Sequence, residues 1–238
     1  MTQMKLLLTS AGITNEHIRK ALVDLLAKPI NQSTALIVPT AIYAYPNASN
    51  YAWRSLQSLG NLGWKEFGVL ELTALPSLKK EVWLPEVEEA DAIIVGGGNV
   101  FYLSFWMQRS GLFDILPELL EKGKTYVGIS AGSMILTHSL NFDRKRFEKT
   151  GIYYDDEYEE EAPINAGSDK TMRLVDFVIR PHLNSDMVPK VTLENIEKWA
   201  AKIDFPLYAI DDQTALKVID GKVEVITEGN WKLFEKRG

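Results

Sequence analysis

Two short apolar segments that each run directly into a glycine-bearing turn constrain the fold of this 238-residue chain most strongly. Ala92–Val95 precede the turn Gly96–Asn99, and Thr125–Ile129 precede the turn Ser130–Gly132. A short apolar run that ends in glycine and continues into a helical pattern is typical of a βα unit in a parallel sheet. Open parallel sheets bind ligands at the carboxyl ends of their strands, so we expect a functional site at these two turns.

Apolar runs alternate with amphipathic stretches along most of the chain, which predicts an α/β fold with a mostly parallel sheet flanked by helices. We expect one domain that spans residues 1–238. The further predicted strands are Lys5–Thr9, Ala35–Pro39, Phe67–Leu72, an extended stretch Arg173–Arg180, Leu207–Ile210, and a hairpin of Ala215–Ile219 and Val223–Ile226 around Asp220-Gly221. The predicted helices are one capped by Thr14 or Asn15, Tyr51–Leu59, one that continues from Ser130 through Met134, Ile135 and Leu136, and about Val188–Ala201.

The composition excludes several classes of site. The chain contains no cysteine, which rules out disulfides, thiolate metal sites and a cysteine nucleophile, and agrees with a reducing compartment. The formal net charge of −6, without a Lys/Arg cluster, disfavours nucleic-acid binding. No apolar segment approaches the roughly 18 residues of a membrane span, and the first apolar run is too short for a secretory signal. We therefore expect a cytoplasmic protein that binds neither nucleic acid nor membrane.

The segment Gly128-Ile129-Ser130-Ala131-Gly132 matches the nucleophile-elbow pattern Gly-x-Ser-x-Gly, between a predicted strand and a predicted helix. A sharp strand-to-helix turn crowds the backbone, so side chains at positions 128 and 132 would clash with neighbouring elements. The serine of such a turn projects above the sheet, where main-chain N–H groups favour developing negative charge. The alternative is a tight packing turn without a catalytic role, and the strand–turn–helix context favours the nucleophile.

The glycine cluster Gly96–Gly98 has two interpretations. It could cradle a phosphate, but it lacks the Lys-Ser/Thr ending of a P-loop, and Phe101 breaks the Gly-x-Gly-x-x-Gly pattern. We favour an oxyanion hole, in which the N–H near Gly98 and the N–H of Ala131 bind the developing oxyanion. The nucleotide-binding alternative predicts that a nucleotide raises the thermal stability of the protein.

A serine nucleophile requires a base, and the chain contains three histidines. His138 follows Ser130 by eight residues on the predicted helix, which places it roughly 12 Å along the helix axis and out of reach. His17 lies in the first turn of the first helix and is expected to face solvent. His182 follows a strand and Pro181 and is therefore expected to emerge in a loop. By elimination, His182 is the candidate base.

The carboxylate that orients the histidine is expected at a strand end as well. Asp211 and Asp212 directly follow the predicted strand Leu207–Ile210. Consecutive residues of a strand point to opposite faces, so only one of the two can serve. Composition does not decide between them.

Two further features each allow a structural and a functional interpretation. The acidic run Asp155–Glu161 fits a solvated loop, and alternatively an acidic rim that attracts a substrate ammonium group. Tyr43, Tyr45 and Tyr51 follow the second strand and could either pack in an ordinary way or line an aromatic pocket.

Taken together, these motifs resemble the aspartyl dipeptidase (peptidase E) family of serine peptidases, which is related to cyanophycinase. The matching pieces, in the same order and with similar spacing, are Ile94–Asn99 with Phe101, Gly128–Gly132, Pro181-His182 and Ala209–Asp212. The resemblance covers most of the chain from about residue 90 onward. It implies a fold like that of the class I glutamine amidotransferases, a flavodoxin-like three-layer α/β sandwich, with serine in place of their cysteine.

The resemblance also implies a triad in the order Ser130, His182, Asp212, and an oxyanion hole at Gly98 and Ala131. The family usually carries glutamate where this chain has Asp212, whose side chain is one methylene shorter. We further predict that Asn99, the last residue of the glycine motif, contacts the substrate. Aspartate-specific dipeptidases carry basic residues after the histidine, whereas residues 183–193 of this chain contain only Lys190. The resemblance therefore does not lead us to predict that this chain prefers an amino-terminal aspartate.

The sequence thus predicts a serine peptidase that cleaves small peptides in the manner of a dipeptidase. The alternatives are an esterase or amidase that uses the same residues, and an inactive binding protein that keeps only the fold. We expect no metal and no organic cofactor, since three scattered histidines lack the spacing of zinc ligands. The expected partner is a small peptide substrate, and the expected assembly is a monomer or a small homo-oligomer.

Overall fold

The computed structural model describes residues 3–140, 144–155 and 160–235, and its largest element is a seven-stranded sheet. The strands are β1 (Lys5–Thr9), β2 (Thr34–Val38), β3 (Glu66–Val69), β4 (Ala92–Val95), β5 (Thr125–Ile129), β6 (Tyr154–Asp155), β7 (Glu160–Glu161), β8 (Val178–Arg180), β9 (Leu207–Ile210), β10 (Thr214–Ile219), β11 (Lys222–Thr227) and β12 (Trp231–Phe234). The large sheet has the order β11-β10-β1-β5-β4-β2-β3. Strands β1, β5, β4, β2 and β3 are parallel to one another. The hairpin of β10 and β11 completes the sheet, with β10 antiparallel to β1.

The described residues contain eight α-helices, of which the first five in chain order connect parallel strands of the large sheet. They are α1 (Glu16–Leu26), α2 (Ala48–Gly60), α3 (Lys80–Glu89), α4 (Val100–Ser110), α5 (Leu112–Glu121), α6 (Ala131–Met134), α7 (Arg144–Thr150) and α8 (Leu193–Ala200). Short 3-10 turns lie at Ile30–Gln32, Thr40–Ala44 and Leu75–Ser77. No helix in the described ranges is long and apolar enough to cross a membrane.

Both faces of the large sheet are covered by helices. Successive residues of a strand point to opposite faces, so neighbouring residues of one strand are buried in different core clusters. Leu6 and Leu8 of β1 belong to the core cluster that contains α4 and α5. Leu7, between them, belongs to the cluster that contains α1 and the end of α2. The molecule therefore has the three-layer α/β arrangement that the sequence predicts.

A second sheet, of order β12-β9-β8, carries the two segments that follow β8 and β9. Strands β8 and β9 are parallel, and β12 pairs with β9 antiparallel. Ile179 and Ile210 pack into the core on one face of the large sheet, whereas Val178 and Leu207 pack into a small core with α8. This packing places the segments after β8 and β9 beside the carboxyl ends of β1 and β5.

The strands with the strongest local patterns have the predicted bounds, namely β1, β4, β5 and β9. The predicted hairpin is confirmed as β10 and β11, and its turn residues Asp220 and Gly221 have φ of 49° and 79°. Both turn residues thus adopt the left-handed backbone conformation that a two-residue hairpin loop requires. The first helix is capped by Asn15, whose side chain accepts the N–H of Ile18.

The helix predicted at Tyr51–Leu59 is confirmed but is longer, since α2 runs from Ala48 to Gly60. Two other helix predictions are wrong in their bounds. Helix α6 ends at Met134, because the carbonyls of Ile135 and Leu136 accept N–H groups of the crossing segment 172–175 instead of continuing the helix. The helix predicted from Val188 begins at Leu193, since residues 185–191 form successive tight turns and the Thr192 side chain caps the helix.

Two predicted strands are shorter than expected. The third strand ends at Val69 rather than Leu72, and residues 71–78 form turns instead. The extended stretch predicted from Arg173 pairs as a strand only at Val178–Arg180. The preceding residues cross the segment after α6.

Candidate active site

Ser130 lies at the junction of β5 and α6 in a strained backbone conformation, with φ of 50° and ψ of −111°. Its N–H donates to the carbonyl of Thr9 at the end of the neighbouring strand β1, 3.0 Å away. Its own carbonyl accepts the N–H groups of Ser133 and Met134 at 2.8 and 3.0 Å. A positive φ in a non-glycine residue persists only where the surroundings hold it, and here both sides of the peptide are held. The result is the predicted sharp turn, with the serine at the carboxyl edge of the sheet.

The two glycines of the elbow are sterically required. A Cβ at Gly128 would lie 2.7 Å from the carbonyl oxygen of Gly132 and the nitrogen of Ser133. A Cβ at Gly132 would overlap the carbonyl of Val95 on the adjacent strand β4. The elbow packs so closely against its neighbours that only hydrogen fits at these two positions.

His182 bridges Ser130 and Asp212. Its Nε2 lies 2.9 Å from Oγ of Ser130, and its Nδ1 lies 2.7 Å from Oδ1 of Asp212. The residue itself has φ of 64° directly after Pro181, and its side chain is 13% exposed. The structure therefore brings the three residues of the predicted triad into the relative positions that a nucleophile, a base and an orienting acid require.

The structure also separates the roles of the two adjacent aspartates. Burial alone would raise the pKa of Asp212, but hydrogen bonds from the side chains of His182, Ser10 and Ser185, together with the charge of His182, lower this pKa from 3.8 to about 2. The Asp212 carboxylate is therefore ionised over the physiological range. Asp211 instead accepts the hydroxyl of Thr214 at 2.7 Å and closes the turn before β10. The shorter side chain of aspartate leaves no gap to the imidazole.

The glycine turn after β4 lies directly against the elbow. A Cβ on Gly97 would lie 3.2 Å from the Cβ of Ser130. Gly98 has φ of 134°, and a Cβ there would overlap the main chain of Ala41. Within the described ranges, the N–H groups of Gly98 and Ala131 donate to no protein acceptor. Both predicted oxyanion donors are thus available on the two segments that meet at Ser130.

Asn99 has a structural role in this turn. It is buried, its Oδ1 accepts the N–H of Tyr102 at the start of α4, and its amide lies 3.5 Å from both Tyr45 and Asp155. Tyr45 donates to Asp155 at 2.6 Å. The contact of Asn99 with substrate stays a prediction.

The acidic run and the loop tyrosines are divided between buried and exposed positions. Asp155 is buried against Tyr45, Glu160 and Glu161 are exposed, and residues 156–159 lie outside the described residues. Tyr43 and Tyr51 are 46% and 53% exposed, so they line no closed pocket with Tyr45.

The other two histidines lie apart from the triad. His17 is exposed, as predicted, and its Nδ1 lies 2.6 Å from Glu228. His138 lies beyond the end of α6, and its ring stacks on Phe205 with centroids 3.5 Å apart. In the part of the chain that the structure describes, no three His, Asp or Glu side chains group to hold a metal ion.

Sequence reasoning missed Ser10, which follows β1 and is fully buried. Its hydroxyl donates to Oδ1 of Asp212 at 2.6 Å and accepts the N–H of His182 at 2.8 Å. A serine after a strand carries no motif of its own. The available signal was its position, because β1 neighbours β5 and both strands end at the same edge.

Comparisons with known proteins relate the chain as a whole to peptidases. A family model described as Peptidase family S51 matches residues 6–226. The probable alpha-aspartyl dipeptidase of Drosophila melanogaster is 29% identical over 229 residues, which cover 94% of this chain and 84% of that protein. Peptidase E of Shewanella denitrificans is 32% identical over 134 residues, 55% of this chain and 52% of the relative.

Among solved structures, a Listeria monocytogenes EGD-e protein assigned to peptidase E superposes with a TM-score of 0.69 at 19% identity. The match covers 96% of this chain and 100% of that one. At this identity the likeness concerns the fold, which is the flavodoxin-like, class I glutamine amidotransferase-like arrangement expected from the sequence.

Proposed function

This chain belongs to peptidase family S51, and from that premise we propose that it is a serine peptidase that cleaves dipeptides and other small peptides after the amino-terminal residue. Ser130 is the nucleophile, His182 the general base and Asp212 the orienting acid. The observation that carries the proposal is the continuous chain of contacts from Ser130 Oγ through both ring nitrogens of His182 to Asp212, at 2.9 and 2.7 Å.

Acylation begins when Nε2 of His182 accepts the Ser130 hydroxyl proton as Oγ attacks the scissile carbonyl carbon. The ionised Asp212 accepts the Nδ1–H, which fixes the tautomer with a free Nε2 and stabilises the imidazolium that forms. The imidazolium then delivers its proton to the leaving amine, and the C–N bond breaks. The product left on the enzyme is an ester between Ser130 and the acyl part of the peptide.

Two main-chain donors stabilise the tetrahedral intermediate. The N–H groups of Gly98 and Ala131 donate to the oxyanion, a contribution of about 3 kcal/mol for one donor in comparable sites. Water then attacks the ester, with His182 again taking and returning a proton. Hydrolysis restores the Ser130 hydroxyl and releases the carboxylic acid product.

The substrate class follows from the family and from the segment after the histidine. Relatives of this chain are named for dipeptidase and peptidase E activities, which supports a small peptide substrate. Residues 183–193 contain Lys190 as their only basic residue. We therefore expect no strong preference for an amino-terminal aspartate.

A dipeptide panel varied at the amino-terminal residue tests this function, with release of free amine as the readout. The panel includes aspartyl, alanyl and leucyl dipeptides and their N-acetylated forms. Ser130→Ala and His182→Ala are compared with the wild type, and His17→Ala is the matched control, since it removes an exposed histidine whose ring contacts Glu228. Thermal unfolding confirms that each variant is folded.

We expect the wild type and His17→Ala to cleave unblocked dipeptides and the two triad variants to lose at least about a thousandfold in kcat. Full activity in both triad variants would contradict the site. A wild type that cleaves simple esters but no peptide would favour the esterase alternative. One that cleaves neither would favour the inactive binding protein.

A further inference from the structure

Ser10 lies where three segments of the site meet. It directly follows β1, which pairs in register with β5 so that Thr9 is opposite Ile129, the residue before Ser130. Ser10 is fully buried, and its N–H lies 3.4 Å from the carbonyl of Thr214, which begins β10. Its side chain is therefore held by the sheet between the elbow and the turn that carries Asp212.

The Ser10 hydroxyl makes two short hydrogen bonds and lies 3.4 Å from Nδ1 of His182, and the directions of the two short bonds are unambiguous. The main-chain N–H of His182 can only donate, so Oγ of Ser10 accepts it at 2.8 Å. An ionised carboxylate can only accept, so the single hydroxyl proton points to Oδ1 of Asp212 at 2.6 Å. This is the same oxygen that contacts Nδ1 of His182. One hydroxyl thus ties the acid to the backbone of the base.

These contacts matter because neither partner is held by its own secondary structure. His182 has φ of 64°, a conformation that persists in a non-glycine residue only under external restraint. Asp212 lies in the turn between β9 and β10. The hydroxyl of Thr14 restrains the main chain of this turn by donating to the carbonyl of Asp212 at 2.9 Å. The Ser10 hydroxyl contacts both the Asp212 carboxylate and the His182 N–H, and Ser185 supports the same pair from the loop after His182, since its side chain bonds the carboxylate and its N–H donates to the His182 carbonyl at 3.0 Å.

We propose that Ser10 is a positioning residue of the peptidase site, which aligns the Asp212 carboxylate with the His182 imidazole and sets the pH at which that imidazole takes up a proton. The proposal rests on the proposed function for its kinetic consequences, but the link between Ser10 and the titration of His182 does not require catalysis. Among the described residues, Asp212 is the charged side chain in contact with the imidazole.

Removing the hydroxyl has two predictable effects. Ser10→Ala frees the His182 backbone and the carboxylate to move apart, which lowers kcat by roughly tenfold to a hundredfold, as expected for losing one hydrogen bond to a charged group. KM changes little, since the buried Ser10 side chain does not face substrate. A carboxylate displaced from the imidazole stabilises the imidazolium less, so His182 in Ser10→Ala gives up its proton at lower pH.

The test follows the His182 imidazole by NMR in the resting protein, alongside the pH profile of kcat/KM. The chain has three histidines, and the imidazole signal that is missing from the spectrum of His182→Ala is the signal of His182. Ser133→Ala is the matched control, because Ser133 is equally buried and donates to the carbonyl of Thr9, one residue before Ser10, without contacting Asp212 or His182. Ser10→Thr keeps the hydroxyl and serves as the rescue variant.

We expect the titration midpoint of His182 and the acid limb of the profile to fall in Ser10→Ala by roughly half a unit to one unit. Both stay at the wild-type position in Ser133→Ala and return toward it in Ser10→Thr. An unchanged midpoint in Ser10→Ala, with any loss of activity matched by loss of folded protein, would overturn the proposal. If the midpoint moves in a protein that cleaves no peptide, the positioning role stands and the proposed function fails.

Discussion

Nε2 of His182 lies 2.9 Å from Oγ of Ser130, although 52 residues separate them in the chain. The serine belongs to the large sheet, whereas the histidine follows β8 of the small one. The contact therefore depends on how the two sheets pack, and Ile179 on β8 is 1% exposed in the core that they share. The chemistry of the site is thus coupled to this packing.

Truncating Ile179 tests that coupling. Ile179→Ala removes buried apolar volume between the sheets and should lower the free energy of unfolding by about 2–5 kcal/mol and also lower kcat. Val178→Ala is the matched control, since the Val178 side chain packs into the small core on the opposite face. Denaturant unfolding and kcat are measured for both. Equal activity in the two folded variants would show that the shared core does not position His182.

The two aspartates after β9 should behave differently when each is replaced by asparagine. Asp212→Asn is expected to lower kcat by roughly 10³- to 10⁴-fold, because an amide does not hold the imidazole in the required tautomer or stabilise its charge. Asp211→Asn should reduce stability through the turn that it closes and leave kcat within a few-fold of the wild type. Steady-state kinetics on the dipeptide substrate decides between them. A larger loss in Asp211→Asn would reverse the assignment.

The lowered pKa of Asp212 makes a prediction about stability and pH. Its pKa is about 2 in the folded protein and 3.8 in the reference state, so the ionised form stabilises the fold above about pH 4. This contribution is lost as pH falls through about 2. The difference in unfolding free energy between the wild type and Asp212→Asn should shrink as the pH falls from about 4 to 2. Other carboxylates titrate alike in both proteins, and a difference that stays constant down to pH 2 would contradict the account.

Adding methyl groups to the glycine turn should separate folding from catalysis. Gly97→Ala places a Cβ 3.2 Å from the Cβ of Ser130, and we expect a folded protein with lowered kcat. Gly98→Ala requires a positive φ and overlaps Ala41, so both stability and activity should fall. Gly60→Ala is the control, with its nearest contact at an ordinary 3.7 Å. Wild-type kcat in Gly97→Ala would argue against a role of this turn at the reacting serine.

Local patterns predicted the parts of the fold that local forces determine. The bounds of β4 and β5 agree with the sequence because each is an apolar run ended by a turn with a glycine requirement. The end of α6 could not be predicted, since Ile135 and Leu136 continue a helical pattern and only the crossing segment 172–175 takes their carbonyls. The small sheet was also unforeseen, because it depends on pairing with β12 near the end of the described chain.

The residues of the site also fall into those that local sequence predicts and those that depend on tertiary contacts. Ser130 and His182 were predictable from a motif and from the small number of histidines. The choice of Asp212 over Asp211 depends on which carboxylate faces the imidazole, a tertiary relation that the residues alone left open and the family resemblance supplied. Ser10 was missed because its role comes from the register of β1 against β5 and from the turn after β9.

The most direct test of the central claim is covalent labelling with a fluorophosphonate probe, which reacts with activated serines irrespective of the natural substrate. Peptide mass spectrometry then locates the modified residue. We predict near-stoichiometric label on Ser130 in the wild type, strongly reduced label in His182→Ala and none at this position in Ser130→Ala. Label on another serine with Ser130 unmodified, or equal labelling in His182→Ala, would contradict the assignment of Ser130 as a nucleophile activated by His182.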